Sequence, residues 1–189
     1  TRLQGDWSSD VCSSDLEKII DPATGQQTLF FDERWTSKST EVSFGHDIEA
    51  AWLLNECAEI AGTLEQIEWS RNNAIRMAEA VVAGLDSDGG LWYEFDPFSG
   101  HWIKEKHWWP QAEAMAGFYK AWLISGNNDF LHYAFRTWDF IKNHLRDTSF
   151  GEWYWGVRED YTIMRNQDKA GFWKCPYHNV RACLEITRS

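Results

Sequence analysis

The sequence predicts an all-α fold: a partial toroid of inner and outer helices, with short aromatic β-hairpins between helix pairs. Three observations predict it. Apolar residues recur at helical spacing through successive long segments, as in Ile48, Trp52, Leu53, Cys57 and Ile60. Helix openings at Gly45, Pro110 and Pro176 recur at intervals of 65 and 66 residues (45 to 110, 110 to 176). An aromatic hairpin recurs with them, as Gly25 to Leu29-Phe30-Phe31, then Gly90-Leu91-Trp92-Tyr93, then Gly151-Glu152-Trp153-Tyr154. A two-helix unit cannot bury its apolar face alone, so such units stack side by side. The repeat is long for an ordinary solenoid, and a ring of inner and outer helices suits it better. Fewer than three complete helix pairs are present, too few to close that ring.

Taken in order, the first helix runs from Gly45 to Ala61 and stops at Gly62. A second runs from about Leu64 to Ala83 and stops at Gly84. A glycine-punctuated strand pair extends from Gly89 to Trp102. The third helix opens at Pro110, a favourable first helical residue, and ends near Gly126. A fourth spans about Asp129 to Arg146, an aromatic strand covers 151–155, and the last helix opens at Pro176. Residues 1–16 fit none of this. The run from Asp6 to Leu16 has neither helical nor strand periodicity and resembles the translation of a common short-read sequencing adaptor. Residues 1–16 are therefore expected to be an artefact and disordered, with one domain over 17–189.

Composition narrows the function. The 189 residues carry 29 acidic and 18 basic side chains, a net charge of −11, without a Lys/Arg cluster along any helix. Nucleic acid and anionic membranes are thus not expected partners. No apolar run approaches the roughly 18–20 residues of a membrane span, and the N-terminus does not read as a signal peptide, so a cytoplasmic location is expected. Aromatic residues make up 16% of the chain, with 13 Trp, a supply suited to gripping the apolar faces of sugar rings. Cys12, Cys57, Cys175 and Cys183 form no CxxC pair and no metal-like spacing with His, and read as reduced, partly buried thiols. The Asp86-Ser87-Asp88-Gly89-Gly90 run is not an EF-hand loop, because its twelfth position is Pro97 rather than Glu.

The chemistry concentrates at the three matching helix starts: Ser43-Phe44-Gly45-His46-Asp47-Ile48-Glu49, then His107-Trp108-Trp109-Pro110-Gln111-Ala112-Glu113, then Trp173-Lys174-Cys175-Pro176-Tyr177-His178-Asn179-Val180-Arg181. If helices alternate inner and outer, these three belong to one set and their N-termini share one mouth. His46 and Glu49 are i,i+3 neighbours, and Trp109 and Glu113 are i,i+4, so each pair lies on one helix face. Singly, each cluster is weak, because a lone His is more often structural and a Trp pair more often packing. The joint pattern carries the weight.

Four segments, 44–54 (Phe-Gly-His-Asp-Ile-Glu-Ala-Ala-Trp-Leu-Leu), 106–114 (Lys-His-Trp-Trp-Pro-Gln-Ala-Glu-Ala), 151–157 (Gly-Glu-Trp-Tyr-Trp-Gly-Val) and 169–183 (Lys-Ala-Gly-Phe-Trp-Lys-Cys-Pro-Tyr-His-Asn-Val-Arg-Ala-Cys), resemble the N-acylglucosamine 2-epimerase family, its cellobiose-epimerising members above all, in sequence and order. The resemblance covers essentially everything after residue 16 and places it in the C-terminal half of such a protein. It implies an (α/α)6 barrel acting on the reducing-end sugar, without metal or redox cofactor. It also implies that His46 and His178 are the acid/base pair, that Glu49 holds or polarises His46, and that Trp108 and Trp109 line the sugar subsites. Glu113, Trp173 and Arg181 are further candidates for substrate binding. The implied partner is a small carbohydrate, a disaccharide or monosaccharide.

Such an epimerisation opens the ring, removes the proton beside the carbonyl and returns one to the opposite face of the enediolate. Histidine, with an ordinary pKa of about 6.5, can serve as base and then acid. Three other readings stay open. Epimerisation of N-acylglucosamine, or aldose–ketose isomerisation, would use the same pocket. A glycoside hydrolase on the same barrel would need two carboxylates, for which Glu49, Asp88, Glu113 and Glu152 are candidates. A non-catalytic carbohydrate-binding module would use the tryptophans alone.

Overall fold

The computed structural model describes residues 18–188. The expectation of disorder for residues 1–16 lies outside them. Strand β1 (Val42–Ser43) leads directly into α1 (Phe44–Ala61), followed by α2 (Leu64–Val81), β2 (Glu94–Asp96) and β3 (His101–Ile103). Strand β4 (Lys106–His107) leads into α3 (Trp108–Ser125), followed by α4 (Asn128–Phe140), β5 (Gly156–Val157) and α5 (Tyr177–Thr187). The order β1-β2-β3 forms one antiparallel sheet, with Val42 opposite Phe95 and Glu94 opposite Ile103. Strands β4 and β5 form a second, with Lys106 opposite Val157.

Helix α1 packs on α2 and α3, and α3 packs on α4 and α5. Helices α1, α3 and α5 are therefore the inner row, and α2 and α4 the outer row, as the repeat predicts. The inner position explains α3, which is buried on nearly every side from Trp108 to Phe118. Its Ala112, Ala114, Ala116 and Gly117 keep it slim. A Cβ at Gly117 would lie 2.5 Å from Ile48 Cγ1 of α1, so only glycine lets the two inner helices approach this closely.

Local signals set the helix ends. Thr63 and Gln66 form a capping box that starts α2, each side chain bonding the other's backbone N–H, at 3.3 and 2.8 Å. Asn127 Oδ1 accepts from the Asp129 N–H to open α4, and Gly126, at φ 71°, closes α3. Several boundaries differ from expectation: α2 ends at Val81 rather than Ala83, and α4 ends at Phe140, continued to Leu145 as π-helix, rather than running to Arg146. Helix α3 begins at Trp108 rather than Pro110, because proline's missing N–H costs nothing anywhere in a first turn. The predicted strand over 151–155 contributes one bridge, Arg146 to Trp153, while the ladder with β4 forms at 156–157. Left-handed backbone at Gly151 and Glu152 (φ 75° and 63°) breaks up the earlier stretch. Among the described cysteines, Cys57 and Cys175 are exposed and only Cys183 is partly buried. Among the described residues, no helix is long and apolar enough to cross a membrane.

Candidate active site

The inner helix starts meet. The Trp109 ring packs against both imidazoles, 4.7 Å from His46 and 5.6 Å from His178 between ring centroids. Further along the same helices, Lys120 Nζ of α3 donates to Glu185 of α5 at 2.7 Å, so the inner helices run in the same direction. The mouth inferred from helix order is thus formed by residues of α1, α3 and α5.

His46 sits in the first turn of α1. Its Nδ1 is 2.8 Å from the Oγ of Ser43, the N-cap residue, whose side chain is turned to the imidazole instead of the helix amides. A hydroxyl both donates and accepts, so Ser43 can match either tautomer of His46. Burial, and then the charge of His178, push the His46 pKa below its ordinary value.

His178 is held differently. Its Nδ1 lies 2.6 Å from Glu113 Oε1, and Glu113 is fully buried. Glu113 is the hub of the site. Oε1 also accepts from Arg181 Nη2 at 2.6 Å, and Oε2 accepts from Trp52 Nε1 at 3.1 Å. Arg181 Nη2 donates in addition to Glu49 Oε1, again at 2.6 Å. Glu49 is raised in pKa, first by burial and second by the charge of Glu113. The Arg181 guanidinium therefore bridges two carboxylates that would otherwise repel. Glu49, Glu113 and His178 converge closely enough to suggest a metal site, but the cation among them is this guanidinium.

Several sequence expectations change. Glu49 does not hold His46: it bonds Arg181 and lies 3.9 Å from His178 Nδ1. Charge explains this, since a buried carboxylate gains far more from a guanidinium than from a neutral imidazole. Trp108 does not line the pocket. It is 4% exposed, packed at a tilt against Trp155 at 4.3 Å, with the Lys174 ammonium 5.4 Å from its ring. Glu113 and Arg181, expected to touch sugar, hold each other and His178; Arg181 also bonds the Tyr177 hydroxyl and lies over the Trp52 ring. Trp173 is 80% exposed, and its ring partner among the described residues is Phe172.

Sequence reasoning missed Ser43, Trp52 and Tyr93. Tyr93 packs on His107 at 4.3 Å and meets Trp109 edge-on at 6.1 Å, bracing the ring that packs against both imidazoles. Only Ser43 left a local trace, as a helix-capping residue type three positions before a histidine.

A row of parallel inner helices thus presents two imidazoles and one indole at a single mouth of a helical barrel. The comparisons agree. The family model described as N-acylglucosamine 2-epimerase matches residues 8–182, and the chain belongs to that family. The chain is 46% identical over 170 residues to the cellobiose 2-epimerase of Bacteroides fragilis, covering 90% of this chain and 43% of that protein. It is 37% identical over 173 residues to the cellobiose 2-epimerase of Dictyoglomus turgidum, covering 91% and 44%. The crystal structure of a sugar epimerase from a ruminal bacterium superposes with a TM-score of 0.90 at 32% identity, over 96% of this chain and 46% of that one. The chain thus spans less than half the length of the curated relatives it matches. The partial ring of inner and outer helices is the corresponding part of the (α/α)6 barrel.

Proposed function

We propose that this chain supplies one side of the active site of a sugar 2-epimerase acting on the reducing-end aldose of a cellobiose-type β-1,4 disaccharide. The observation that carries this reading is the pair of imidazoles on separate inner helices packed against Trp109. Two such groups can address opposite faces of one carbon. After ring opening, one histidine takes the C2 proton, the enediolate forms, and the other histidine returns a proton to the opposite face.

The two histidines are prepared for these roles in different ways. The lowered pKa of His46 keeps it neutral near neutral pH, as a base must be. His178 directs Nδ1–H at Glu113, which leaves Nε2 for the substrate. In this reading Trp109 gives an apolar face to the sugar, and the exposed Trp173, just before α5, supplies a further aromatic face for the second ring. The hydrolase reading loses support, because its four candidate carboxylates are engaged: Glu49 and Glu113 by Arg181, Asp88 by Lys106, and Glu152 by Lys174. Activity is expected of the complete barrel and not of this segment alone.

The test is the exchange of the C2 hydrogen of cellobiose with deuterated solvent, in the intact enzyme and in its His46→Ala and His178→Ala variants. Both variants are expected to lose epimerisation while keeping the fold, and exchange is expected to persist only in the variant that keeps the histidine facing the C2 hydrogen of cellobiose. Epimerisation at the normal rate in either would overturn the two-histidine scheme. Release of monosaccharide would instead restore the hydrolase, and turnover of N-acylglucosamine but not cellobiose would reassign the substrate.

A further inference from the structure

Lys174 is 2% exposed, yet it carries an ammonium group. All three of its N–H bonds are used: Nζ donates to Glu152 Oε1 at 3.0 Å, to the Trp153 carbonyl at 2.8 Å and to the Lys169 carbonyl at 2.7 Å. Glu152 Oε1 accepts a second bond, from Asn179 Nδ2 at 2.8 Å. Asn179 lies in the first turn of α5, directly after His178. That turn has no conventional cap: the N-cap residue is Pro176, which makes no side-chain capping bond. Asn179 is itself buried, and its Oδ1 has no partner among the described residues. Its buried amide is therefore retained for the one bond that Nδ2 makes to Glu152.

The arrangement has a counterpart one repeat earlier. Lys106, next to the start of α3, is 3% exposed and donates to Asp86 Oδ2 at 2.7 Å and Asp88 Oδ2 at 2.8 Å, both from the preceding hairpin loop. In each repeat a buried lysine ties a loop carboxylate to the approach of an inner helix. The two differ in one respect. Beyond the lysine, Asp86 accepts from Trp92 and Asp88 from Gly90 and Tyr161, whereas Glu152 reaches past it into the helix that carries His178. Glu152 adopts left-handed backbone to do so, a conformation costly for a residue with a side chain.

We propose that Glu152, clamped by Lys174, is a positioning residue for catalysis: through Asn179 it fixes the first turn of α5 and so the aim of His178. The carboxylate also places negative charge at the helix N-terminus, where it is favourable. The inference rests on the assignment of His178 as an acid/base group, and a misplacement there is costly to proton transfer.

Asn179→Ala in the intact enzyme isolates the link, because it leaves the Lys174–Glu152 pair whole and removes an oxygen that has no partner. The kcat for C2 exchange is expected to fall about tenfold, with KM for cellobiose and the melting temperature unchanged. The unaltered enzyme is expected to show a low-field proton NMR resonance for the His178 Nδ1–H, and Asn179→Ala is expected to broaden or abolish it. An unchanged kcat and resonance would overturn the proposal. So would a loss of melting temperature matching the loss of rate, which would make Asn179 merely structural. Glu152→Gln combined with Lys174→Met, which removes both charges together, is expected to fold and keep the resonance only if the bond to Asn179, not the charge, does the positioning. Loss of the resonance in that folded variant would overturn the link through Asn179 and assign the effect to the charge of Glu152. An unaltered enzyme inert at C2 of cellobiose would overturn the epimerase reading alone, and the resonance would still decide the positioning.

Discussion

Glu113 and His178 stand 65 positions apart in the chain and 2.6 Å apart in space. The carboxylate is sealed from solvent, while the imidazole it grips is partly open. This sets the tautomer of His178, because Nδ1 must carry the proton that Glu113 accepts. Glu113→Gln keeps the shape and removes the charge. In the intact enzyme it is expected to reduce kcat for C2 exchange about 10²-fold with a much smaller change in KM. Steady-state kinetics on cellobiose read both.

His46 titrates below the ordinary histidine value, first because it is buried and second because His178 lies nearby. An NMR titration of the intact protein should therefore give His46 a midpoint below 6.5. His178→Gln removes the second cause and should move that midpoint upward. Since the neutral form is the base, kcat/KM should hold as pH falls through 6.5 and decline only below it.

Gly45 lies against the Trp109 ring. A Cβ there would come within 2.6 Å of Trp109 Cη2 and Cζ3. Gly45→Ala must push the indole or α1 aside, at a cost of about 1–3 kcal/mol. Because that ring packs against both imidazoles, the variant should raise KM and lower kcat together, with a lower melting temperature.

Asp47 is fully buried, accepting from the Gln27 N–H at 2.8 Å through Oδ1, with Oδ2 lacking a partner among the described residues. Burial raises its pKa to about 7, against an ordinary 3.8. The folded state thus binds the extra proton, so this contribution to stability is complete below 3.8 and is lost as pH rises through about 7. Denaturant melts at about pH 5 and about pH 8 should show lower stability at the higher pH. Asp47→Asn should flatten that difference.

The helices were legible because glycine, proline and a 3.6-residue period mark them locally. The mouth was legible because alternation of inner and outer helices follows from chain order alone. What was not legible depends on rotation between helices. Trp108 and Trp109 are adjacent letters of one type, but one turns to the pocket and the other lies under Trp155, a residue contributed by a distant hairpin. Glu49 was rightly placed on the same helix as His46, one turn on. Its real partner is 132 positions away, and no local spacing could reveal that. Glu113 illustrates the same point: its face was readable, but its three bonds go to Trp52, His178 and Arg181 on two other helices.

Arg181 closes contacts that span 132 residues to Glu49 and 68 to Glu113. Closing loops of that size costs more chain entropy than pairing neighbouring helices. The contact that neutralises both carboxylates is therefore made only where α1, α3 and α5 are all in register, and it ties the setting of His178 to that register.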